Sequence, residues 1–171
     1  MPGAKNTDIY TPEKRSAIMS KVKAANTAPE RLLRRELHHL GFRFRLKSGH
    51  LPGGPDIVLN KYKTVVFVHG CFWHRHSDCR KTTVPMKNRS FWKQKFAINV
   101  ARDAKAAVCL QSLGWKVLVA WECEIMKQAS VVAMSISNQL LLCLTKHPQR
   151  QVGTITRKAK TSIDTVVARE S

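Results

Sequence analysis

Residues 57–68, IVLNKYKTVVFV, hold two short apolar runs, Ile57 to Leu59 and Thr64 to Val68, joined by a tight turn around Asn60-Lys61. A strand with one wet face alternates apolar and polar residues, whereas a strand buried on both faces does not. These runs therefore belong at the centre of a sheet covered by helices, which restricts the chain to an α/β layering.

The flanking segments supply the helices. In TAPERLLRRELHHLG, Thr27 and Glu30 form a capping box, Leu33, Leu37 and Leu40 share one face, and Gly41 is a stop signal. Arg31, Arg34, Arg35 and His38 fall on its other faces. An earlier helix is predicted in TPEKRSAIMSKVKAA, with Thr11 as N-cap and Pro12 at its first position. Downstream, NRSFWKQKFAINVARDAKAAVCLQSLG reads as a long helix capped by Asn88 and ended by Gly114, with Ala97, Val100, Ala101, Ala104 and Val108 as its buried stripe. Phe42 to Leu46 alternates like a half-buried strand, WKVLVAWE reads as another buried strand, and a helix through about Leu144 closes the domain. The predicted fold is a mixed sheet flanked by helices in one domain over residues 1–145. Residues 146–171, polar, basic and weakly periodic, read as a flexible tail.

With 30 Lys plus Arg against 11 Asp plus Glu, the net charge is +19. Eleven cations lie between Lys5 and Lys47, eleven between Lys61 and Lys105, and six between Lys146 and Arg169. Such a surface attracts a polyanion, nucleic acid before anionic lipid. No apolar run of about 18 residues is present, and MPGAKNTDIYTPEKR lacks a signal-peptide core, so a cytoplasmic protein without a membrane partner is expected.

Chemistry concentrates in FVHGCFWHRHSDC, residues 67–79. Cys71, His76 and Cys79 form C-x4-H-x2-C, which matches no common zinc-finger spacing and fits either buried thiols or three ligands of a zinc ion. Cys123, directly after the last strand, is the candidate fourth ligand, and three thiolates with one imidazole would make a closed, structural site. Cys109 and Cys143 are expected in the core. Asp56 begins one central strand and His69 ends the next, so the two can meet at one edge of the sheet, with His74 five residues on. Imidazoles suit proton transfer at a phosphodiester, and a carboxylate suits a hard cation. Phe72-Trp73 in a loop and Phe91-Trp92 at a helix start lie among cations, as stacking on bases requires. At least one ring of each pair is expected to face the core, together with Trp115 and Trp121.

Taken in order, GGPDIVL, KTVVFVHGCFWHRHSDC, SFWKQKFAINVARD and GWKVLVAWEC resemble the very-short-patch repair (Vsr) endonucleases, over roughly residues 11 to 140. The resemblance implies a restriction-endonuclease-like core, a variant of the PD-(D/E)xK nucleases. It implies a magnesium-dependent nick in one strand, 5′ of the thymine in a T·G mismatch left by deamination of 5-methylcytosine. The implied partners are mismatched double-stranded DNA, a cytosine-5 methyltransferase as functional companion, and mismatch-repair proteins; a monomer suffices for nicking one strand. Residue by residue, Asp56 matches the metal-binding aspartate, His69 and His74 the active-site histidines, and Glu30 the acidic residue that supports them. Cys71, His76, Cys79 and Cys123 match the structural zinc ligands, and Phe72, Trp73 and Trp92 the rings that enter the duplex. Arg75 is expected to contact phosphate.

Ordinary PD-(D/E)xK nucleases carry an acidic residue and a lysine where this chain has Phe67 and His69. Val68 stands where relatives often have threonine, and Ser77-Asp78 is a two-residue spacer where some relatives hold one residue. His74 is expected to act as general base with help from Glu30, and His69 to contact the phosphate, although sequence order alone leaves the histidines interchangeable. A restriction-linked nicking enzyme without strict mismatch dependence, and a non-catalytic zinc-containing nucleic-acid-binding module, are the competing readings.

Overall fold

Capping chemistry sets the first helix. α1 spans Ala28–His39, and Glu30 in its first turn accepts the Thr27 backbone N–H at 3.2 Å, a donor the helix leaves open. At the other end Gly41 takes φ +84, so its N–H reaches the His38 carbonyl and the Phe42 N–H reaches that of Leu37, each at 3.0 Å. This left-handed stop swings Phe42 back onto the core beside Leu33 and Leu37. Leu40 sits at the cap and is exposed, so the apolar face ends one turn earlier than its sequence spacing indicates.

The computed structural model describes residues 25–46 and 50–146, together with 11, 13, 14 and 17. The predicted helix of residues 11–25 therefore falls almost wholly outside the described residues, as do residues 147–171 of the expected tail.

Among the described residues three strands form the sheet in the order β1-β2-β3: β1 Ile57–Leu59, β2 Thr64–His69 and β3 Lys116–Trp121. A single 3-10 turn, Asn60–Tyr62, joins the antiparallel pair β1 and β2, with Ile57 opposite Val66. β2 and β3 run parallel with His69 opposite Trp121, because the chain crosses over through a long helix between them. The predicted strand at Phe42 to Leu46 reduces to one bridge, in which Arg45 and Val58 exchange two backbone hydrogen bonds of 2.9 Å. β1 is only three residues long, so a partner on its outer edge finds little ladder to extend.

A four-residue helix, α2 (Cys71–His74), follows β2, and α3 (Arg89–Ser112) makes the crossover. α4 (Glu122–Lys146) begins directly after β3 and breaks helical geometry at Gln128. Side-chain alternation divides the sheet between two layers. Ile57, Leu59, Val66 and Ala120 join Leu33 and Leu37 of α1 and Ile125, Ile136 and Leu140 of α4, whereas Val58 and Val65 pack on Leu110 of α3. β1 and the first half of β2 are buried on both faces, as their composition requires, but β1 lies at the edge of the sheet rather than at its centre. Among the described residues no helix is long and apolar enough to cross a membrane.

The inward face of α3 is not the predicted one. Phe96, Ala106 and Leu110 are buried, Asn99 and Asp103 half-buried, and Ala97, Val100, Ala101, Ala104 and Val108 exposed. Cys109 is exposed as well, and the side chain of Cys143 lies outside the described residues. The helix turns a polar stripe inward because it lies over a cleft rather than over a sealed core. Trp115 and Trp121 are half-buried rather than central.

Candidate active site

Parallel pairing brings the C-terminal ends of β2 and β3 to the same edge of the sheet, and the antiparallel partner β1 starts there too. Asp56, His69 and Cys71 therefore gather with Trp121 and Cys123 at one edge. A cleft of about 1090 Å³ opens beside them, lined by Glu30, Asp56, Val68, His69, Trp73, His74, Asn99 and Asp103 among others.

Asp56 is anchored by the Val68 backbone N–H, which donates to its Oδ2 at 2.7 Å. Burial raises its carboxyl above the ordinary aspartate range and the Glu30 charge adds to this, while the Val68 N–H opposes it. His69 and His74 stack face to face, centroids 3.9 Å apart and planes 11° from parallel. Burial, reinforced by the neighbouring His74, pushes His69 down to about 4, so at neutral pH this ring is uncharged. His74 directs Nδ1 at Asp103 Oδ2, 2.5 Å away. A carboxylate only accepts, so Nδ1 carries the proton and Nε2 is left as a base.

Asp103 is the residue that sequence reasoning missed. It lies 29 positions from His74 on α3, and its signal is that it is the lone acid between Arg89 and Ser112, amid five cations. Glu30, expected to support a histidine, does something else. Nearly fully buried, it accepts from the Asn26 and Thr27 N–H groups, the Thr27 hydroxyl and Arg34. It shares the cleft with the histidines, but the carboxylate that orients His74 is Asp103.

The second cluster joins Cys71, His76, Cys79 and Cys123, whose donor atoms all lie within 4.8 Å of one another. His76 Nδ1 is 3.7 Å from Cys71 Sγ and 3.3 Å from Cys123 Sγ. A tetrahedral zinc ion, with bonds of about 2.3 Å to sulfur and 2.0–2.1 Å to nitrogen, needs S···N edges of about 3.6 Å, so the donor set fits one. Cys71 is fully buried, which pushes its thiol up to about 12. Trp121 stacks on the His76 ring at 4.2 Å and 8°. Around the cluster, the Thr82 hydroxyl donates to the His76 carbonyl at 2.7 Å, and Lys81 pairs with Glu122 at 2.9 Å. The loop is thereby tied to the start of α4.

Phe72 and Trp73 ride on α2 rather than in an irregular loop. Phe72 lies 5.1 Å from Trp73, 5.6 Å from Trp92 and 5.0 Å from Phe96, so one aromatic cluster borders the cleft. Phe96 is its buried member; Phe72, Trp73 and Trp92 are half-exposed and Phe91 is exposed. The guanidinium of Arg75, the expected phosphate contact, donates to the Thr83 carbonyl at 2.8 Å and lies 4.3 Å over the Phe96 ring. It is turned into its own loop, because a left-handed backbone at Arg75 (φ +57) faces the side chain that way.

The profile of the DNA mismatch endonuclease Vsr family matches residues 7–81. A type II nicking enzyme of Neisseria meningitidis serogroup A, V.NmeAIP, is 49% identical over 123 residues, covering 72% of this chain and 87% of its own. A second, V.XorIIP of Xanthomonas oryzae pv. oryzae, is 44% identical across 70% of this chain and 87% of its own. The DNA mismatch endonuclease Vsr of Escherichia coli is 37% identical across 78% of this chain and 85% of its own.

Proposed function

The chain belongs to the Vsr family of DNA endonucleases, and on that premise we propose that it nicks one strand of duplex DNA 5′ of the thymine in a T·G mismatch, with magnesium. The observation that carries this reading is the adjacency of the His69/His74/Asp103 cluster, Asp56 and the half-exposed rings at one cleft. Hydrolytic groups and base-stacking groups are thus fixed to one another before DNA arrives.

In this mechanism His74 Nε2 takes the proton of the attacking water while Asp103 holds Nδ1–H and steadies the imidazolium. His69, neutral through burial, donates a hydrogen bond to a phosphate oxygen and keeps the His74 plane fixed by stacking. Asp56, a desolvated carboxylate with one oxygen occupied by the Val68 N–H, is suited to a hard cation. When bound there, magnesium supplies positive charge against the phosphate oxygens. Valine before His69 is compatible with this arrangement, because its backbone N–H makes the contact.

Cys71, His76, Cys79 and Cys123 hold a structural zinc ion in this reading, supported by the donor distances above. A short mixed sheet with the aspartate at the start of β1 and a histidine at the end of β2 supports a restriction-endonuclease-like core. The T·G wobble stacks poorly, so wedging Phe72, Trp73 and Trp92 costs less there than in matched DNA. The cytosine-5 methyltransferase whose product deaminates to thymine is the functional companion.

End-labelled duplexes with T·G or matched pairs, incubated with Mg²⁺, test the proposal. A nick mapped 5′ of the mismatched thymine supports it, and equal cutting of matched duplex refutes the mismatch requirement. The names of V.NmeAIP and V.XorIIP, type II nicking enzymes, support a cut in one strand.

A further inference from the structure

Arg34 belongs by spacing to the polar side of α1, yet its side chain is only 13% exposed and lies against Glu30. One guanidinium nitrogen donates to Glu30 Oε2 at 2.6 Å, and the other donates to Asn26 Oδ1 at 3.1 Å. Its Nε is buried with no partner among the described residues. A buried ion pair that leaves a donor unmet is a poor device for stability. The neutral contacts to Glu30, from the Thr27 N–H and hydroxyl to Oε1 and from the Asn26 N–H to Oε2, leave one acceptor site on Oε2 and the negative charge. Arg34 fills the site and neutralises the charge.

That charge matters because Glu30 and Asp56 line the same cleft. Two carboxylates facing one cleft without a counter-cation would together invite a divalent ion. Resting on the reading that Asp56 binds a divalent cation, we propose that Arg34 is a positioning residue: it holds Glu30 as an internal ion pair, withholds that carboxylate from the cation, and leaves Asp56 to bind alone.

The test is Mg²⁺ titration calorimetry on the full-length protein without DNA, using wild type, Arg34→Met, Arg34→Lys and the double variant Glu30→Gln/Arg34→Met. Arg34→Met is expected to bind Mg²⁺ roughly tenfold more tightly than wild type, because a second carboxylate is released. Arg34→Lys keeps the charge and is expected within about twofold of wild type. The double variant exchanges a neutral pair for a neutral pair and is expected to return to wild-type affinity. Unchanged affinity in Arg34→Met overturns the proposal. So does tightening that persists in the double variant, which is a general charge effect, and so does a double variant that binds less tightly than wild type, which makes Glu30 a ligand already. If Arg34→Met does not fold, Arg34→Gln, which keeps a donor but no charge, is read by the same criteria. Asp56→Ala separates the two levels: if it leaves the wild-type isotherm unchanged, the cation site at Asp56 and this proposal both fall, whereas if it abolishes binding, only the Arg34 assignment is at stake.

Discussion

Replacing Asp103 by asparagine changes one oxygen for an NH2 group and leaves the shape of α3 intact. Asp103 Oδ2 lies 2.5 Å from His74 Nδ1, so the contact persists in the variant, but an amide can present a donor there. Its N–H then points at Nδ1, the proton moves to Nε2, and the nitrogen facing the cleft is no longer a base. In the serine-protease triad the same exchange lowers turnover by about 10⁴ through this tautomer change, and general-base catalysis as a class contributes about 10²–10⁴. A loss of about 10³ in kcat, about 4 kcal/mol of barrier, is therefore expected for Asp103→Asn. DNA affinity should hold or rise, because the variant removes a negative charge from a cleft lined by Lys95 and Arg102. Single-turnover nicking of an end-labelled T·G duplex gives the first quantity, and fluorescence anisotropy on the same duplex gives the second. A drop of less than about fivefold in rate, with normal folding, would falsify the His74–Asp103 pairing as the base.

Three further outcomes test other parts of the site. Chelation, or Cys123→Ala, is expected to release one zinc ion per chain and abolish cooperative unfolding, checked by elemental analysis and thermal melts; active protein without zinc refutes it. Trp73→Ala removes a half-exposed ring beside Phe72 and Trp92, and should cut the preference for T·G over matched duplex by about tenfold, within the 1–3 kcal/mol of one stacking contact. Equal losses on both duplexes in a binding titration count against the wedge. Arg75→Ala should lower kcat and stability while leaving the salt dependence of DNA binding unchanged, since its guanidinium faces Thr83 and Phe96; a salt slope reduced by about one restores it as a phosphate contact.

What the sequence displayed and what it hid follow from range. The apolar runs of β1 and β2 announce burial on both faces locally, and the Gly41 and Gly114 stops act through their own backbone. The Cys71/His76/Cys79/Cys123 grouping was legible because a strand end is a predictable place for a chain to return, and parallel β2 and β3 deliver Cys123 to it. The inward face of α3 was hidden. Apolar residues at 97, 100, 101, 104 and 108 form a plausible stripe, but the helix covers a cleft, where Asn99 and Asp103 can be wet. Apolar periodicity identifies a core-facing stripe only when a core is there to face. Likewise the Glu30 capping box was legible, while its ion pair with Arg34 depended on a rotamer that the sequence does not encode.

The interleaving of functions in residues 69–79 has a geometric cause. Successive residues of a helix point about 100° apart, so one turn distributes four side chains around a full circle. α2 is that single turn: Cys71 points inward to the sulfur cluster, Phe72 and Trp73 to the rings near the start of α3, and His74 to Asp103 further along α3. Continuing the helix would carry His76 further around and away from Cys71. The left-handed Arg75 stops it, and the His76 N–H returns to the Cys71 carbonyl at 3.2 Å. A non-glycine residue held there costs about 1–2 kcal/mol, offset by its hydrogen bonds to Thr82 and Thr83 and by the Phe96 ring. A metal at the cluster would thus anchor Cys71, the first residue of the turn, and His76, two residues beyond its end, fixing the rings and the proposed general base His74 between them. Loss of that anchor is expected to affect stacking and proton transfer together, whereas Asp103→Asn is expected to slow proton transfer without weakening DNA binding.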